Sequence, residues 1–398
     1  MAPVSGPLAG IRVIEFAQLV LGPQCAAMLH DMGAEVVKVE PRGRGDHARS
    51  IPMSFEDPRA PYYIAHNRGK RSVTLDLSHL QGLEVVQRLV ERSDVMIASL
   101  RPGSMTALGL SYDDCAAINP RLIYANGSAY GPEGPDAHRG GTDPYGQAAG
   151  GLVAATGTPE TPTLAGAVIA DSMAGQVLCS GILAALYWRE QSGRGQRVDS
   201  SLYGAQIWAQ SAELTYQLVG DVQYDRIAGG HPSLSRVSLL RIFATADGHI
   251  FGFGGGPSAA LFRALDAPEL ADDERFADPR TAALHMDELI DALTPILLTR
   301  TDEEWARRLD GEEVAFQIVQ DYAAVAEDPQ ALANGYVADL EGDDGTEARL
   351  VGNPLGMSET PPVPGVRPPE LGEHTEEVLL ELGYDWDAIG EMREADVI

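Results

Sequence analysis

The chain has 398 residues, of which 44% are hydrophobic and 22% are charged, proportions typical of a folded globular protein and not of a disordered one. This length is more than one ordinary core accommodates, so we expect two domains. A net charge of −29 opposes binding to nucleic acid and to anionic membranes, so neither is an expected partner.

The three cysteines, Cys25, Cys115 and Cys179, are widely spaced, and no Cys-x-x-Cys or His-x-x-x-His pair occurs. We therefore expect buried free thiols, a cytoplasmic protein and no metal site. The N-terminal residues lack the pattern of a signal peptide. The uncharged run from Ser172 to Trp188 is shorter than the ~20 residues of a membrane span, so it predicts a buried core helix.

Strand-like and helix-like segments alternate through the first 130 or so residues, which predicts an α/β fold with a mostly parallel sheet covered on both faces. The helix-like segments are residues 23–32 and 79–92, the second with apolar residues at helical spacing. The predicted strands are residues 11–16, 35–40, 72–77, 94–98 and 122–125.

The composition changes after Leu202, and a smaller α+β domain follows. Residues 241–254 resemble a hairpin with Asp247-Gly248 at its turn, and helices are predicted at 258–265, 281–298 and 302–309. Beyond Asp328 the chain is rich in loops and proline, with a final helix at 373–382. We accordingly predict a large domain at 1–200, a linker at 201–224, a small domain at 225–327 and a return segment at 328–398.

Glycines cluster in Gly252-Phe-Gly-Gly-Gly-Pro257. Glycine adopts backbone angles that other residues avoid and lets amide groups approach a ligand closely. The segment is either a structural hairpin end or a mobile flap over an active site. It is not a Walker loop, because no Gly-Lys-Ser/Thr follows.

The turn after the first strand reads Gln18-Leu-Val-Leu-Gly-Pro23 and lacks the Gly-x-Gly-x-x-Gly of dinucleotide sites, so we expect neither nicotinamide nor flavin. Basic residues are scarce and cluster near the predicted strand ends. They are either solvated loop charges or a site for a polyphosphate group. The cluster comprises Lys38, Arg42, Arg44, Arg68, Lys70, Arg71 and Arg101.

Asp171 is the only charge in a long apolar stretch, at the predicted start of a helix. An aspartate there serves as an N-cap, accepting hydrogen bonds from backbone amides two or three residues later. Those amides and the helix dipole would keep it ionised at neutral pH. Small neighbours also leave room for an ionised carboxylate to attack an acyl carbon. No Gly-x-Ser-x-Gly elbow offers an alternative nucleophile.

Ordered segments along nearly the whole chain are similar to the class III CoA-transferase family (CaiB/BaiF type), which includes formyl-CoA and carnitine CoA-transferases and the α-methylacyl-CoA racemases. Each is modest alone, but their order and spacing are highly specific. They include Pro7-Leu-Ala-Gly-Ile-Arg-Val-Ile-Glu-Phe16, Asn67-Arg-Gly-Lys-Arg-Ser-Val-Thr-Leu-Asp76, Gln147-Ala-Ala-Gly-Gly151, Ala170-Asp-Ser-Met-Ala-Gly175 and Leu371-Gly-Glu-His-Thr375.

The resemblance implies a Rossmann-like large domain without the dinucleotide fingerprint, a smaller domain, and an interlocked homodimer. It also implies that coenzyme A lies across the large domain as part of an acyl-CoA substrate, with Asp171 as the catalytic nucleophile and Gly254, Gly255 and Gly256 as a loop that closes over it. The implied CoA contacts are Gln18, Leu19, Val20, Leu21, Arg42, Lys70, Arg71, Leu75, Ser99, Leu100, Arg101, Thr142 and Asp143.

One position separates transferases from racemases within the resemblance. The racemases place a histidine directly before an aspartate, whereas this chain reads Arg139-Gly-Gly-Thr-Asp143. Threonine cannot exchange a proton with an α-carbon near neutral pH. We therefore predict a transferase that moves CoA from an acyl-CoA donor to a carboxylic acid acceptor. The alternatives are an acyl-CoA racemase or epimerase and a non-catalytic acyl-CoA-binding subunit.

Overall fold

The structure is a computed structural model that describes residues 6–56, 58–341, 345, 347–365 and 367–398. Its strands are β1 Arg12–Ala17, β2 Glu35–Pro41, β3 Arg71–Leu75, β4 Val95–Ser99, β5 Ile123–Ser128, β6 Arg197–Ser201, β7 Arg241–Ala244, β8 His249–Gly252, β9 Gln317–Ile318, β10 Val337–Glu341 and β11 Glu347–Val351.

Two short 3₁₀ helices lie at His47–Ser50 and Leu234–Arg236. The α-helices are α1 Leu21–Asp31, α2 Pro61–Asn67, α3 Leu80–Arg92, α4 Ser104–Ala107, α5 Tyr112–Ile118, α6 Asp143–Ala149, α7 Leu152–Ala155, α8 Ile169–Ser192, α9 Leu202–Ala209, α10 Ser211–Gly220, α11 Ala259–Ala264, α12 Pro268–Ala271, α13 Pro279–Leu284, α14 Met286–Leu297, α15 Asp302–Gly311, α16 Tyr322–Glu327, α17 Pro329–Ala333, α18 Thr375–Glu381 and α19 Trp386–Glu394.

The chain divides into two compact units. The first contains residues 1–150, 166–209 and 328–398, and the second contains residues 151–165 and 210–327. The division differs from the predicted boundaries in two places. The segment predicted as a linker, 201–224, is largely helical and is shared between the units as α9 and α10. Residues 151–165 belong to the second unit, although they were assigned to the large domain.

The first unit is built on a six-stranded parallel sheet in the order β3-β2-β1-β4-β5-β6, the strand order of Rossmann folds. The α/β prediction is thus confirmed. Five of its strands match predicted segments, and β6 was missed. That strand reads Arg-Val-Asp-Ser-Ser, with one large aliphatic side chain, so the apolar pattern of a buried strand is absent from it.

Side chains of successive strand residues point to opposite faces of the sheet, so alternate residues belong to two buried apolar clusters. On one face, Val13 and Val95 pack with α1 and α8. On the other face, Ile14 and Met96 pack with α3, α18 and α19. The return segment is tied to β3 by a hydrogen bond from the His374 amide to the Ser72 carbonyl oxygen. It therefore completes the layer over this second face.

Helix α8 has 24 residues and a mean hydropathy of 1.5 in its most apolar window, so by length and composition alone it could cross a membrane. Its buried side, which includes Leu178 and Ile182, packs in the same apolar cluster as α1, Val13 and Val95. That is the environment of a core helix. It ends at Gly193, whose left-handed backbone (φ 71°) is readily adopted only by glycine.

The second unit has its own apolar core around Trp305, Phe253 and Phe262 and a three-stranded sheet in the order β7-β8-β9. The predicted hairpin is present, since β7 and β8 pair antiparallel. The single helix expected at 281–298 is wrong. The structure has α13 and α14 instead, because His285 leaves helical geometry between them (φ −121°, ψ 29°).

Candidate functional site

The carboxyl ends of the strands are where ligands bind in sheets of this type, and Asp171 lies in the first turn of α8 in the same unit. Helix α8 begins at Ile169, after Val168, which makes no side-chain cap. The predicted N-cap role of Asp171 is therefore wrong, because the helix starts two residues before it. Asp143 caps the helix instead: its Oδ1 accepts hydrogen bonds from the amides of Ala170 (2.6 Å) and Asp171 (3.2 Å).

The environment of Asp171 raises the pKa of its carboxyl to about 6. Burial contributes most to this rise, because it disfavours the charged form, and the neighbouring Asp143 carboxylate adds to it. Hydrogen bonds from the backbone amides of Leu21 and Asp143 act in the opposite direction. At pH 7 an acid with this pKa is still roughly nine-tenths ionised. Asp171 is therefore mostly a carboxylate at this pH, and it binds a proton more tightly than an ordinary aspartate does.

The turn between β1 and α1 brings the Leu21 amide to this carboxylate. Leu19 has a positive φ of 65°, which is uncommon for a leucine. Such strained backbone conformations are found most often at functional sites. The Leu19 amide donates to Oδ1 of Asp46 at 3.0 Å. Val20 and Leu21 are buried, so core packing stabilises the turn in addition to the hydrogen bond from Leu19 to Asp46.

Helices α1 and α8 cross very closely beside the turn. A Cβ added to Gly175 would lie 2.7 Å from the Leu21 carbonyl oxygen, closer than such atoms approach each other. Glycine at this position therefore permits the contact that brings the start of α1 to the first turn of α8.

A buried network of four charges supports the same turn; we call it the β1 ion network, comprising Glu15, Lys38, Asp46 and Lys70. Lys38 Nζ contacts Glu15 Oε1 at 2.7 Å and Asp46 Oδ2 at 2.8 Å. Lys70 Nζ contacts Glu15 Oε2 at 2.6 Å. All four side chains are buried. Burial lowers the pKa of Lys70 to about 8, which leaves it charged near pH 7.

The network corrects the assignment of Lys38 and Lys70 to a polyphosphate site. Lys70 Nζ also donates to the Pro23 carbonyl oxygen (2.9 Å) and to Asn67 Oδ1 (3.0 Å). Together with the bond to Glu15, these use its three protons. Lys38 donates to Glu15 and to the Ala17 carbonyl oxygen and is paired with the Asp46 carboxylate. Neither ammonium group is available to a ligand. The sequence contains one indication of this role, since Glu15 and Lys38 each stand between two apolar residues of their strand.

Arg71 is also placed differently from the prediction. It begins β3, pairs in register with Val37 near the amino end of β2, and binds Glu35 and Glu381. It thus lies at the edge of the sheet opposite to the carboxyl ends, so the CoA contact predicted for it is contradicted. Arg68 is likewise engaged, with Asp31.

Most of the remaining predicted contacts lie at or just after the carboxyl ends of strands, and Thr142 and Asp143 lie at the start of α6. Their role in binding CoA stays a prediction. Leu75 ends β3 and is buried, and Ser99 ends β4, followed by Leu100 and the exposed Arg101. Arg42 follows β2 and pairs with Asp396 at 2.5 Å. Thr142 is exposed, and Asp143 is buried.

The glycine loop, Gly254 to Gly256, follows β8 in the second unit. Gly255 and Gly256 have positive φ angles of 86° and 74°, and a Cβ at either would meet open space. Gly254 is anchored by a hydrogen bond from its amide to the Ala315 carbonyl oxygen at 2.9 Å. The backbone angles explain the glycines, and both the hairpin-end and the flap interpretation remain predictions.

The model of CoA-transferase family III matches residues 8–375. The chain is 35% identical to a succinate–glutarate CoA-transferase of Agrobacterium fabrum, over 94% of this chain and 96% of that one. It is 30% identical to a human succinyl-CoA:glutarate CoA-transferase, over 98% and 90%. A crystal structure of a CaiB/BaiF family protein from Brucella suis superposes with a TM-score of 0.85 at 30% identity, covering 95% of this chain and all of that one.

These similarities extend over nearly the full length of both partners, and the fold matches as well as the sequence. The chain therefore belongs to CoA-transferase family III. The resemblance inferred from the ordered sequence segments is confirmed.

The β1 ion network predicts a large loss of stability when its shared carboxylate is removed. Glu15→Gln leaves the buried Lys70 ammonium group without a carboxylate partner and leaves Lys38 with Asp46 alone, so we expect the free energy of unfolding to fall by about 3–5 kcal/mol. Urea denaturation at pH 7 measures this change.

Glu35→Gln is the matched control. Glu35 is half exposed, and its partner Arg71 keeps Glu381, so we expect a change of less than about 1 kcal/mol. Equal unfolding midpoints for the two variants would contradict the role assigned to the network.

Proposed function

We propose that this protein moves CoA from an acyl-CoA thioester to a free carboxylic acid through an aspartyl–acyl anhydride on Asp171. Succinyl-CoA is the first donor to test and glutarate the first acceptor, because the relatives in Agrobacterium and in humans are named for these compounds. The observation that carries the proposal is the Asp171 carboxylate, which has a raised pKa and lies in the first turn of a helix, next to a strained turn.

The first half of the reaction is attack by a carboxylate oxygen of Asp171 on the thioester carbonyl carbon. A carbon–oxygen bond forms, the carbon–sulfur bond breaks, and its electron pair leaves on the CoA thiolate. A raised pKa makes the carboxylate a better nucleophile while leaving it ionised at pH 7. The Leu21 amide acts on this carboxylate and would help to orient it.

The second half passes the CoA to the acceptor. Either the thiolate attacks the aspartyl carbonyl carbon, releasing the donor acid and giving an aspartyl-CoA thioester that the acceptor carboxylate then attacks with loss of the thiolate, or the acceptor carboxylate attacks that carbon directly and displaces the donor acid. Both routes give an anhydride between Asp171 and the acceptor. The thiolate then attacks the acceptor's carbonyl carbon, forming the new acyl-CoA and freeing the Asp171 carboxylate. No step consumes water or ATP, so the energy of the thioester is kept. We propose that Gly254, Gly255 and Gly256 exclude water and donate amide hydrogen bonds during these steps.

Coenzyme A is proposed to bind at the carboxyl ends of the strands of the first unit. The contacts retained for it are the turn from Gln18 to Leu21, Arg42, Leu75, the segment from Ser99 to Arg101, and Thr142. Arg42 would exchange its partner Asp396 for a phosphate group, which a half-exposed surface pair permits at small cost.

A homodimer is the proposed assembly, supported by an apolar surface on α8 and α9. Trp208 of α9 is 70% exposed and lies beside the exposed Val177 of α8, and Tyr187 and Trp188 of α8 are 72% and 52% exposed. Adjoining exposed apolar side chains usually mark an interface. We also propose a cytoplasmic location, because Cys25, Cys115 and Cys179 are all free and buried.

Asp171→Asn should abolish CoA transfer from succinyl-CoA to glutarate, by at least roughly 10³-fold in kcat, because the isosteric amide cannot form the anhydride. CoA binding, measured by calorimetry, should change less than about threefold. Asp136→Asn is the control, since Asp136 is half-exposed and pairs with Arg139 on the surface.

Transfer that persists in Asp171→Asn would defeat the proposal. Solvent deuterium that enters the α-carbon of an acyl-CoA without an acceptor would favour a racemase instead. CoA binding without either reaction in the wild-type protein would indicate a binding subunit.

The pH dependence of acylation follows from the raised pKa of Asp171. Because attack needs the ionised carboxylate, the rate should be constant above pH 7 and fall as the pH drops through about 6. At succinyl-CoA concentrations well below saturation, the second-order rate constant for acylation at pH 5 should be roughly a tenth of that at pH 8, because this constant reports the pKa of the free enzyme. A profile that stays flat down to pH 4.5 would instead indicate an ordinary aspartate and contradict the assigned environment.

The dimer proposal predicts a mass of twice 42.4 kDa in sedimentation equilibrium at micromolar protein. Trp208→Glu should reduce the dimer fraction, because it places a charge in the proposed interface. Leu80→Glu is the control, at a residue that is 85% exposed on α3. A monomer mass at every concentration tested would overturn the proposal.

A further inference from the structure

Asp143 is a buried carboxylate that the proposed reaction does not yet use. It is 4% exposed and is the first residue of α6. One oxygen, Oδ1, accepts hydrogen bonds from the Ala170 and Asp171 amides at 2.6 and 3.2 Å. The other oxygen, Oδ2, accepts one from Gln147 Nε2 at 2.5 Å. Both oxygens are thus engaged within the protein, which argues against the CoA contact predicted for this side chain.

The orientation of Asp143 is determined by Gln147, which is also buried. Gln147 Nε2 donates to the Ala167 carbonyl oxygen at 3.1 Å as well as to Asp143. Its amide nitrogen must therefore face Asp143, and Oδ2 of Asp143 must be an acceptor. Helix α6 consequently holds the start of α8 at three backbone groups, those of Ala167, Ala170 and Asp171.

The two helices are in close contact at this point. A Cβ added to Gly146 of α6 would lie 2.9 Å from the Ala170 Cβ. Little space is left for α8 to shift its first turn relative to α6. Asp143 thus both fixes the backbone of Asp171, through the hydrogen bond from its amide, and places a second carboxylate beside it.

Other groups that pack near Asp171 carry little charge. Helix α1 contributes the Leu21 amide, and residues 21–29 of that helix include no acidic or basic side chain. On β6, Asp199 is paired with Arg197. On α6, Tyr145 is exposed. Asp143 is therefore the formal charge that acts on Asp171.

We propose that Asp143 is the positioning residue of Asp171: it fixes the first turn of α8 and places a negative charge that disfavours the free carboxylate relative to its acylated form. This inference rests on the proposed function. When the anhydride forms, Asp171 becomes neutral and the charge leaves on the CoA thiolate, so the repulsion between the two carboxylates is relieved. Asp143 would thereby favour acylation without contacting the substrate.

The test is a direct titration of Asp171 by ¹³C NMR in protein labelled at the aspartate carboxyl carbons, with Asp171→Asn used to assign the signal. The wild-type midpoint is expected near 6. In Asp143→Asn the charge is lost while an oxygen remains to cap α8, so the midpoint should fall by roughly one pH unit.

Two controls separate charge from structure. Gln147→Leu removes the Gln147 hydrogen bonds, which Asp143→Asn also disturbs, but keeps the Asp143 charge, so its midpoint should not fall. Asp136→Asn removes a half-exposed charge from the preceding loop and should leave the midpoint unchanged. A midpoint that is the same in Asp143→Asn and the wild type, or that falls equally in either control, would overturn the proposal.

The titration decides this inference even if the wild-type protein never becomes acylated, in which case only the proposed function fails. If acylation by succinyl-CoA is observed, its rate in Asp143→Asn at pH 8 should fall about tenfold or more, with little change in the CoA dissociation constant. A loss confined to CoA binding would contradict a positioning role and restore Asp143 as a contact.

Discussion

The β1 ion network is the interaction on which the geometry of the candidate site depends. Four charges without access to water are stable only when each is paired and hydrogen-bonded. Here Lys70 donates three hydrogen bonds, and Lys38 donates two and is paired with Asp46. Asp46 connects the network to the Leu19 amide. The turn that begins α1 is thereby determined by contacts inside the core, and the Leu21 amide follows from it.

Two neighbouring helices act on the Asp171 carboxyl group and set its pKa. Helix α1 supplies an amide, and α6 supplies the Asp143 carboxylate that caps α8. The amide stabilises the ionised form, whereas burial and the second carboxylate oppose it. The balance is a carboxyl group that is ionised at neutral pH and yet more basic than a solvated aspartate, as a nucleophile in covalent catalysis requires.

Local patterns in the sequence were enough to predict the parallel sheet and to single out Asp171. Apolar strands alternating with helices indicate five of its six strands, and the isolated charge in an apolar run marks the start of α8. The cap on α8 could not be predicted in this way. Its donor amides and Asp143 are 27 and 28 residues apart, so the interaction depends on how α6 and α8 pack.

The basic residues show the same limit. Sequence indicates that Lys38, Lys70 and Arg71 lie near strand ends, but not whether each is buried or which edge of the sheet it occupies. Lys38 and Lys70 belong to the core, and Arg71 lies at the opposite edge. Glu15 and Lys38 each stand between two apolar strand residues, a position that indicates a buried ion pair because an unpaired charge is not tolerated in a buried strand.

The central claim is that Asp171 carries the acyl group, and trapping that intermediate tests it most directly. The protein is incubated with succinyl-CoA and hydroxylamine, and the peptide that contains Asp171 is analysed by mass spectrometry, with Asp171→Asn as the control. The account predicts a hydroxamate on Asp171 that requires succinyl-CoA and is absent from the variant. An unmodified Asp171 in protein that transfers CoA to glutarate would contradict it.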